Sequence, residues 1–178
     1  MRKSGILVFL VFFPFFSTAV FSATPVLLTP TPIVTPIAYD LPYPGILPDH
    51  PLYFLKVFRD KLVDIFTSDS QKRVEFLLLM ADKRIAMGQL LIDKGNIDLG
   101  KSTISKGEKY FLRATEALSV LEKANSESAG KLREKLLAAY KKHQQIIDGI
   151  YTKFDDNEQK KWQDIDDTLS SVGKNLKN

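Results

Sequence analysis

From residue 51 to the C-terminus, apolar residues recur at intervals of three and four positions, and no proline follows Pro51. This spacing is typical of an α-helix that buries one face. The first predicted helix begins near Pro51, which is well tolerated in a first turn, and ends near Thr67. Its apolar face consists of Leu55, Phe58, Leu62 and Ile65. We expect this short helix to lie against the rest of the domain.

Four longer helices follow, and each carries one apolar face of the kind that packs in bundles and coiled coils. The face of the second helix is Val74, Leu78, Ala81, Ile85, Gly88 and Ile92. The face of the third is Ile97, Gly100, Ile104, Gly107, Phe111, Ala114, Leu118 and Leu121. The faces of the fourth and fifth are Leu132, Leu136, Ala139, His143, Ile146 and Ile150, and Trp162, Ile165, Leu169, Val172 and Leu176. The predicted fold is all-α, an antiparallel bundle of four long helices plus the short N-terminal helix.

Polar residues mark the predicted ends of these helices. Ser68 and Gln71 have the spacing of a capping box at the start of the second helix. Asp155 is expected to cap the fifth helix. Glycine costs about 1 kcal/mol relative to alanine inside a helix, so Gly88, Gly100 and Gly107 predict close approach of two helix backbones.

The N-terminal region has a different organisation. Arg2 and Lys3 precede an apolar run, and residues 5–23 carry no charge. This order predicts that residues 1–23 are a signal peptide cleaved after small residues such as Ala19, or, alternatively, a retained membrane anchor. Residues 24–48 follow as a spacer and leading segment, and four Thr-Pro pairs keep its first part extended. Residues 49–178 form the predicted bundle domain.

We expect export to place the domain outside the cytoplasm, as a secreted, periplasmic or cell-surface protein that the N-terminus anchors if it is not cleaved. The chain has no cysteine, so no disulfide stabilises it. Its net charge is +4, and removing Arg2 and Lys3 leaves about +2. We therefore expect no nucleic-acid partner, and contact with a membrane only through an uncleaved N-terminus.

One stretch, Gly95 to Ser102, fits the phosphate-loop pattern G-x-x-x-x-G-K-[ST]. A phosphate loop needs a preceding strand and a following helix N-terminus. Here a helical period precedes the glycines, so we expect a helix–turn–helix connection at Gly95-Asn96 and no nucleotide.

Three further patterns resemble catalytic, metal-binding or haem-binding motifs, but each is better explained by its position on a helix or at a helix start. Asp164, Asp166 and Thr168 fit a phosphatase-type D-x-D-x-T motif, but they fall on the fifth helix, where a solvated acidic face is expected. Asp155-Asp156-Asn157 lacks the glycine of a calcium loop. His143 has the position of a haem ligand in a bundle, although we expect a histidine packed at the border of the apolar face. We assign no catalytic residue, metal ligand or cofactor.

The most distinctive part of the predicted mature chain is the aromatic and proline-rich stretch before and into the first helix. It contains the candidate interaction or latch residues Tyr43, Pro44, Gly45, Pro48, Tyr53, Phe54 and Lys56. In the favoured interpretation, the apolar side chains of Leu47, Tyr53, Phe54 and Phe58 hold the segment on the bundle. The alternative is an exposed aromatic patch for a partner.

This stretch, from Pro44-Gly45 through Pro51-Leu52-Tyr53-Phe54-Leu55-Lys56, resembles the Leu-Pro-Gly and Pro-x-Tyr-x-x-Lys motifs of a bacterial domain family of unknown function. The similarity continues through Ser68-Asp69 and Ala81-Asp82-Lys83-Arg84-Ile85, departs at Ser70, where relatives often have proline, and fades near Leu121. It covers roughly residues 41–121. The resemblance implies an exported or membrane-tethered helical protein and no catalytic residue.

Together these features predict a non-enzymatic helical bundle in the cell envelope that acts as a protein-interaction or structural module. Its partner is expected to be another protein or an envelope surface, and a homodimer is possible. The alternative is an extracytoplasmic bundle that carries a small ligand or metal between its helices, which requires an internal cavity.

Overall fold

A computed structural model describes residues 38–124 and 126–177, apart from the side chains of Ile65 and Ser126. The predicted signal or anchor of residues 1–23 and most of the spacer lie outside the described residues. The helices are α1 (Tyr53–Phe66), α2 (Ser70–Asp93), α3 (Ile97–Ala124), α4 (Ser126–Tyr151), α5 (Asp156–Lys160) and α6 (Gln163–Lys177). The part of the chain that the structure describes contains no strand, which confirms the all-helical fold class.

The hydrophobic core lies between α2, α3, α4 and α6, the helices that pack on one another. The apolar faces predicted for the four longer helices are buried, with the exception of Ile97 at the start of α3. The core has two parts. One part surrounds Phe111 and Leu136, and the other surrounds Ile104 and Trp162. No helix among residues 38–124 and 126–177 has the length and hydrophobicity needed to cross a membrane.

The start of α2 differs from the sequence prediction. Asp69, and not Ser68, is the N-cap, and its side chain accepts a hydrogen bond of 2.8 Å from the backbone N–H of Lys72. The capping-box prediction for Ser68 and Gln71 is therefore wrong. The helix begins at Ser70, one residue later than that box requires, so the aspartate carboxylate is the group within reach of a free N–H.

The turn between α2 and α3 shows why Gly95 is a glycine. Its φ is +85°, a left-handed conformation that costs glycine little. Gly95 N–H donates to the carbonyl of Ile92 at 2.8 Å, and Asn96 N–H donates to that of Leu91 at 2.8 Å. These two bonds form a Schellman motif, which satisfies the last carbonyls of α2 and reverses the chain into α3.

The glycines on the facing surfaces of α2 and α3 bring the two backbones together, as predicted. A Cβ atom built on Gly88 would lie 2.9 Å from the carbonyl oxygen of Gly100 and 2.4 Å from Cγ1 of Ile104. A Cβ on Gly107 would lie 3.1 Å from Cβ of Arg84. The two helices therefore run antiparallel in direct contact, and no side chain fits between them at these positions.

Substitution of Gly88 by alanine tests this contact. The methyl group gains about 1 kcal/mol of helix propensity but meets a backbone oxygen that cannot rotate away, so we expect a net loss of about 1–3 kcal/mol in the free energy of unfolding. Gly149→Ala is the matched control, because a Cβ there has no neighbour within 4 Å. The control should be neutral or stabilising in urea unfolding. A neutral Gly88→Ala variant would contradict the close contact.

The predicted fifth helix is two helices, α5 and α6. Asp155 caps α5 as expected and accepts a 2.8 Å hydrogen bond from the N–H of Glu158. The chain then turns at Lys161 and Trp162. Trp162 is fully buried, with ring contacts to Tyr151 and Phe154. The prediction of one continuous helix is wrong because burial of the indole between these rings interrupts the helical path.

Candidate functional site

Helix α1 lies on the bundle through its polar side. Asp64 accepts a hydrogen bond of 3.1 Å from Arg113 on α3 and lies 3.7 Å from Arg73 on α2. Asp60 is buried and forms an ion pair with Arg59 at 2.8 Å. The surface beneath Asp64 therefore presents two cations, and Arg113 also lies over the ring of Tyr110. Opposite charges therefore determine which side of α1 faces the bundle.

The consequence is that the hydrophobic side of α1 faces outward. Phe58 is 62% exposed and Phe66 is 78% exposed. We call the exposed residues Phe54, Leu55, Phe58, Leu62 and Phe66 the α1 apolar face. The expectation that Leu55, Phe58 and Leu62 pack inward is wrong, because the inward side is taken by Asp60, which is buried, and by Asp64, which pairs with arginines of the bundle.

The segment before α1, residues 38–52, is called the arm here. Lys56 holds it in place by donating hydrogen bonds to the carbonyl oxygens of Pro44 at 2.8 Å and Ile46 at 3.4 Å. Gly45 forms the turn between them with a φ of +75°. Further back, the Tyr39 hydroxyl donates to Asp82 on α2 at 2.6 Å. Polar contacts therefore attach the arm.

The predicted latch residues divide into two groups. Pro44, Gly45, Pro48, Leu47 and Tyr53 are half-buried, and Lys56 is the hydrogen-bond donor that joins the arm to α1. In contrast, Tyr43 is exposed, and so are Phe54 and Phe58. The interpretation in which Phe54 and Phe58 hold the segment on the bundle is wrong, since both side chains point to solvent. For these two residues the alternative interpretation, an exposed aromatic patch, agrees with the structure.

A groove of about 470 Å³ opens between the arm and α1. We call it the arm groove. It is lined by Tyr43, Pro44, Gly45, Ile46, Leu52, Leu55, Lys56, Arg59 and Lys83. Three cations and several apolar side chains line it, and none of the lining residues is acidic. Leu55 belongs to both the groove and the α1 apolar face, so the two surfaces are continuous.

The environment of Lys56 is electrostatically unfavourable for its charge. Burial is the largest cause of a lowered pKa of Lys56, the charge of Asp60 opposes it, and the cations Lys83, Arg84 and Arg59 add to it, so that the net pKa is about 8. With a pKa of about 8, the ammonium group is mostly charged at pH 7, where it donates to two arm carbonyls. Because Lys56 carries this charge and also donates to the arm, a change in its protonation would act on the contact between the arm and α1.

Replacement of Lys56 by alanine should release the arm from α1. We expect faster backbone hydrogen exchange over residues 43–50 and a loss of about 1 kcal/mol in the free energy of unfolding, since the hydrogen bonds are only part-buried. Lys61→Ala is the control, because Lys61 is an exposed cation on the same helix. Equal exchange in both variants would show that Lys56 does not hold the arm.

A buried cluster of charges lies beneath the arm, between α2, α3 and α4. His143 is 0% exposed, and its Nε2 lies 2.9 Å from Oδ1 of Asp82 while its Nδ1 lies 3.0 Å from Oε1 of Glu108. Ionised carboxylates only accept hydrogen bonds, so both ring nitrogens donate and the imidazole is a cation. The ring also makes an edge contact with Phe111. We call Asp82, Glu108 and His143 the buried triad.

The carboxylates fix the charge of the histidine. Burial alone lowers the pKa of His143, but the charge of Glu108, the hydrogen bonds to Asp82 and Glu108 and the charge of Asp82 outweigh it and raise the pKa to about 9. Tyr39 donates to the other oxygen of Asp82. The second oxygen of Glu108 is buried without a protein hydrogen-bond partner. The triad thus fastens three helices and the arm at one point.

The triad predicts a pH dependence of stability. The pKa of His143 is raised from the ordinary 6.5 to about 9. The stabilisation that the charged imidazole gives to the folded chain is therefore fully present below about pH 6.5 and is lost as pH rises towards 9. The difference in unfolding free energy between the natural chain and a His143→Gln variant should therefore shrink over this range. Lys56 titrates in both proteins, so its contribution cancels. A difference that stays constant to pH 10 would contradict a charged His143.

Sequence reasoning placed His143 at the border of an apolar face, whereas the structure buries it completely, so that expectation is wrong. It also missed Asp82, Glu108 and Tyr39. The sequence feature that could have identified the two acids was their position next to residues of the apolar faces. Asp82 follows Ala81 and Glu108 follows Gly107, each one residue from a buried position. A buried charge requires a partner of opposite sign, and here two acids beside the apolar faces of α2 and α3 contact one histidine of α4.

The motifs set aside in the sequence lie on helices. Lys101 and Ser102 fall within α3, after the turn at Gly95-Asn96. Asp164 and Asp166 lie in the first turn of α6, where Asp164 accepts from Ser105 at 2.8 Å. Both helical predictions are confirmed. Among the described residues, no group of three or more histidine, cysteine, aspartate or glutamate side chains has the arrangement of a metal site.

Residues 38–124 and 126–177 thus form a small all-helical domain with a buried core and an amphipathic helix, α1, whose apolar side is exposed. The chain belongs to the family described as Domain of unknown function (DUF5667), whose profile matches residues 45–172. The resemblance to a helical family of unknown function is thereby supported, and the match extends well beyond residue 121. No curated protein matches the chain, and no solved structure matches it.

Proposed function

We propose that this protein is a non-enzymatic module of the cell envelope that attaches to another envelope component through the α1 apolar face. The observation that carries the proposal is the exposure of Phe54, Phe58 and Phe66 along one side of a single helix. Large apolar side chains scattered singly are ordinary on protein surfaces, whereas a continuous row of them along a helix marks an interaction surface.

The rest of the molecule supports this assignment. The helices α2, α3, α4 and α6 bury their apolar faces against one another. The charged side of α1 is occupied by its ion pairs with the bundle, as in the contact between Asp64 and Arg113. Attachment to the bundle therefore fixes the direction in which the apolar face points. The uncharged residues 5–23 support an extracytoplasmic location through a signal or anchor.

The ligand-carrying alternative has weaker support. It requires space between the helices, and the glycines that could have provided it bring α2 and α3 into direct contact at Gly88 and Gly100. The arm groove is an open surface feature lined by cations, which is unlike an enclosed apolar pocket for a carried molecule.

Photochemical crosslinking in the protein's own cells tests the proposal. Phe58 is replaced by the photoreactive amino acid p-benzoylphenylalanine, and Val120 on α3 is replaced in the control because it is equally exposed, at 61%. We expect a discrete crosslinked product from position 58, whether polypeptide or lipid, and none from position 120. The absence of any product at position 58, with the chain folded and exported, would contradict the proposed function.

A further inference from the structure

The charges around α1 are arranged asymmetrically. Successive helix residues are rotated by about 100°, so Arg59 and Lys61 fall on opposite borders of the α1 apolar face. Both side chains are exposed. The two acids of the helix, Asp60 and Asp64, lie on the opposite side and face the bundle. The outward side of α1 is therefore hydrophobic at its centre and cationic at its borders.

The arm groove extends this arrangement. Lys83 on α2 joins Lys56 and Arg59 along its wall, and Tyr43, which is almost fully exposed, stands at its edge. Aromatic side chains at the border of an apolar surface and basic side chains around it are characteristic of helices that lie in the boundary layer of a bilayer. With 14 residues, α1 is about 20 Å long, enough to present the whole row of phenylalanines to such a layer.

We propose that the α1 apolar face and the arm groove together dock onto a bilayer containing anionic phospholipids, with α1 lying parallel to the membrane surface and a lipid phosphate in the groove. This inference rests on the proposed function and names the component to which the module attaches. The phenylalanines enter the boundary between headgroups and acyl chains. Arg59, Lys61 and Lys83 lie at the level of the phosphates, where each basic residue strengthens binding about fivefold.

Charge complementarity distinguishes this occupant from a second copy of the chain. In a two-fold symmetric pair, the borders of one α1 face would meet the borders of the other. Both borders carry cations, Arg59 and Lys61. Of the two acids of α1, Asp60 already pairs with Arg59 of its own chain and Asp64 pairs with Arg113, so neither is free to pair with the cations of a second copy. Self-association through this face would therefore bring like charges together, whereas an anionic bilayer neutralises them.

The chain has no cysteine, so a single introduced cysteine can carry an environment-sensitive dye. The full chain is labelled at Phe58→Cys or, as the control, at Val120→Cys, and mixed with vesicles of phosphatidylcholine or of equal parts phosphatidylglycerol and phosphatidylcholine. Residues 1–23 could attach the whole chain to either vesicle, and for this reason the signal is read at α1. We expect a blue shift and a severalfold rise in emission at position 58 with the anionic vesicles alone, and no change at position 120.

A double variant tests the role of the cations. Lys61→Gln with Lys83→Gln should reduce the response at position 58 severalfold towards that seen with phosphatidylcholine. These lysines are chosen in preference to Arg59, because Arg59 also pairs with the buried Asp60. A matched variant, Lys123→Gln with Lys135→Gln, removes the same charge from α3 and α4 and should leave the response unchanged. Far-ultraviolet circular dichroism verifies that every variant is folded.

Three outcomes would overturn the inference. The first is no response at position 58 with either vesicle. The second is an equal response with both vesicles, which would exclude recognition of anionic lipid. The third is a response without lipid that grows with protein concentration, which would identify a second copy as the occupant. Each is distinguishable from failure of the proposed function, since a polypeptide crosslinked to Phe58 in cells would leave that function standing without the membrane.

Discussion

Replacing His143 with alanine is expected to lower the free energy of unfolding by about 3–5 kcal/mol, the range found when one partner of a buried ion pair is removed. The substitution leaves the carboxylates of Asp82 and Glu108 buried without the cation that both contact. It also removes the edge contact of the imidazole with Phe111. Urea unfolding followed by circular dichroism measures the change.

A second variant separates charge from packing. Replacing all three members of the buried triad by apolar residues, as Asp82→Leu, Glu108→Met and His143→Leu, removes every charge at once. Buried ion clusters replaced in this way are often neutral or more stable, so the triple variant should be less destabilised than His143→Ala alone. If the triple variant were the less stable of the two, the loss would come from packing and the electrostatic account of the triad would be wrong.

Replacing Trp162 with alanine is also expected to lower the free energy of unfolding by about 3–5 kcal/mol. The indole is fully buried at the junction of α5 and α6, in the part of the core that includes Ile104 and Ile150. Truncation leaves a cavity there and removes the contacts to Tyr151 and Phe154. Because Trp162 is the only tryptophan, unfolding is followed by circular dichroism in place of fluorescence.

Trp162→Phe is the matched control. It retains most of the ring volume and removes an indole N–H that is buried without a hydrogen-bond partner. We expect it to cost clearly less than the alanine variant, since volume is largely conserved and no polar group is left unpaired. If both variants lost less than about 1 kcal/mol, the C-terminal helices would not depend on this residue for their attachment.

The buried faces of the longer helices were predictable because apolar residues there repeat at three and four positions without competing signals. Ile85, Ile104 and Leu136 each lie in such a repeat and are fully buried. The same holds for Gly88 and Gly100, which lie on the apolar repeats of neighbouring helices, where glycine favours close packing and offsets its cost inside a helix. Periodicity and glycine placement together therefore predict the contact between α2 and α3.

The orientation of α1 could not be read from its own sequence. The helix has an apolar side around Phe58 and an acidic side around Asp64, and periodicity alone assigns the apolar side to the core. The choice depends on what the bundle presents beneath it, which is Arg113 and Arg73. These residues lie 49 and 9 positions from Asp64, so only the tertiary structure shows that the acidic side has partners.

The buried triad could not be predicted from the sequence for the same reason. Its members come from three helices, and His143 is 61 positions from Asp82. Each residue taken alone resembles a surface residue near an apolar face. Their burial becomes favourable only when all three meet, because each charge satisfies another.

Cysteine accessibility in intact cells shows whether the α1 apolar face is covered there. Single-cysteine chains carrying Phe58→Cys or Val120→Cys are exposed to a membrane-impermeant maleimide, and each rate is divided by its rate in urea. Position 120 should react in intact cells, as an extracytoplasmic location requires, and position 58 should react severalfold more slowly although both side chains are equally exposed in the free chain. Equal rates at the two positions would show that the α1 apolar face is uncovered in the cell and would contradict its role as the docking surface.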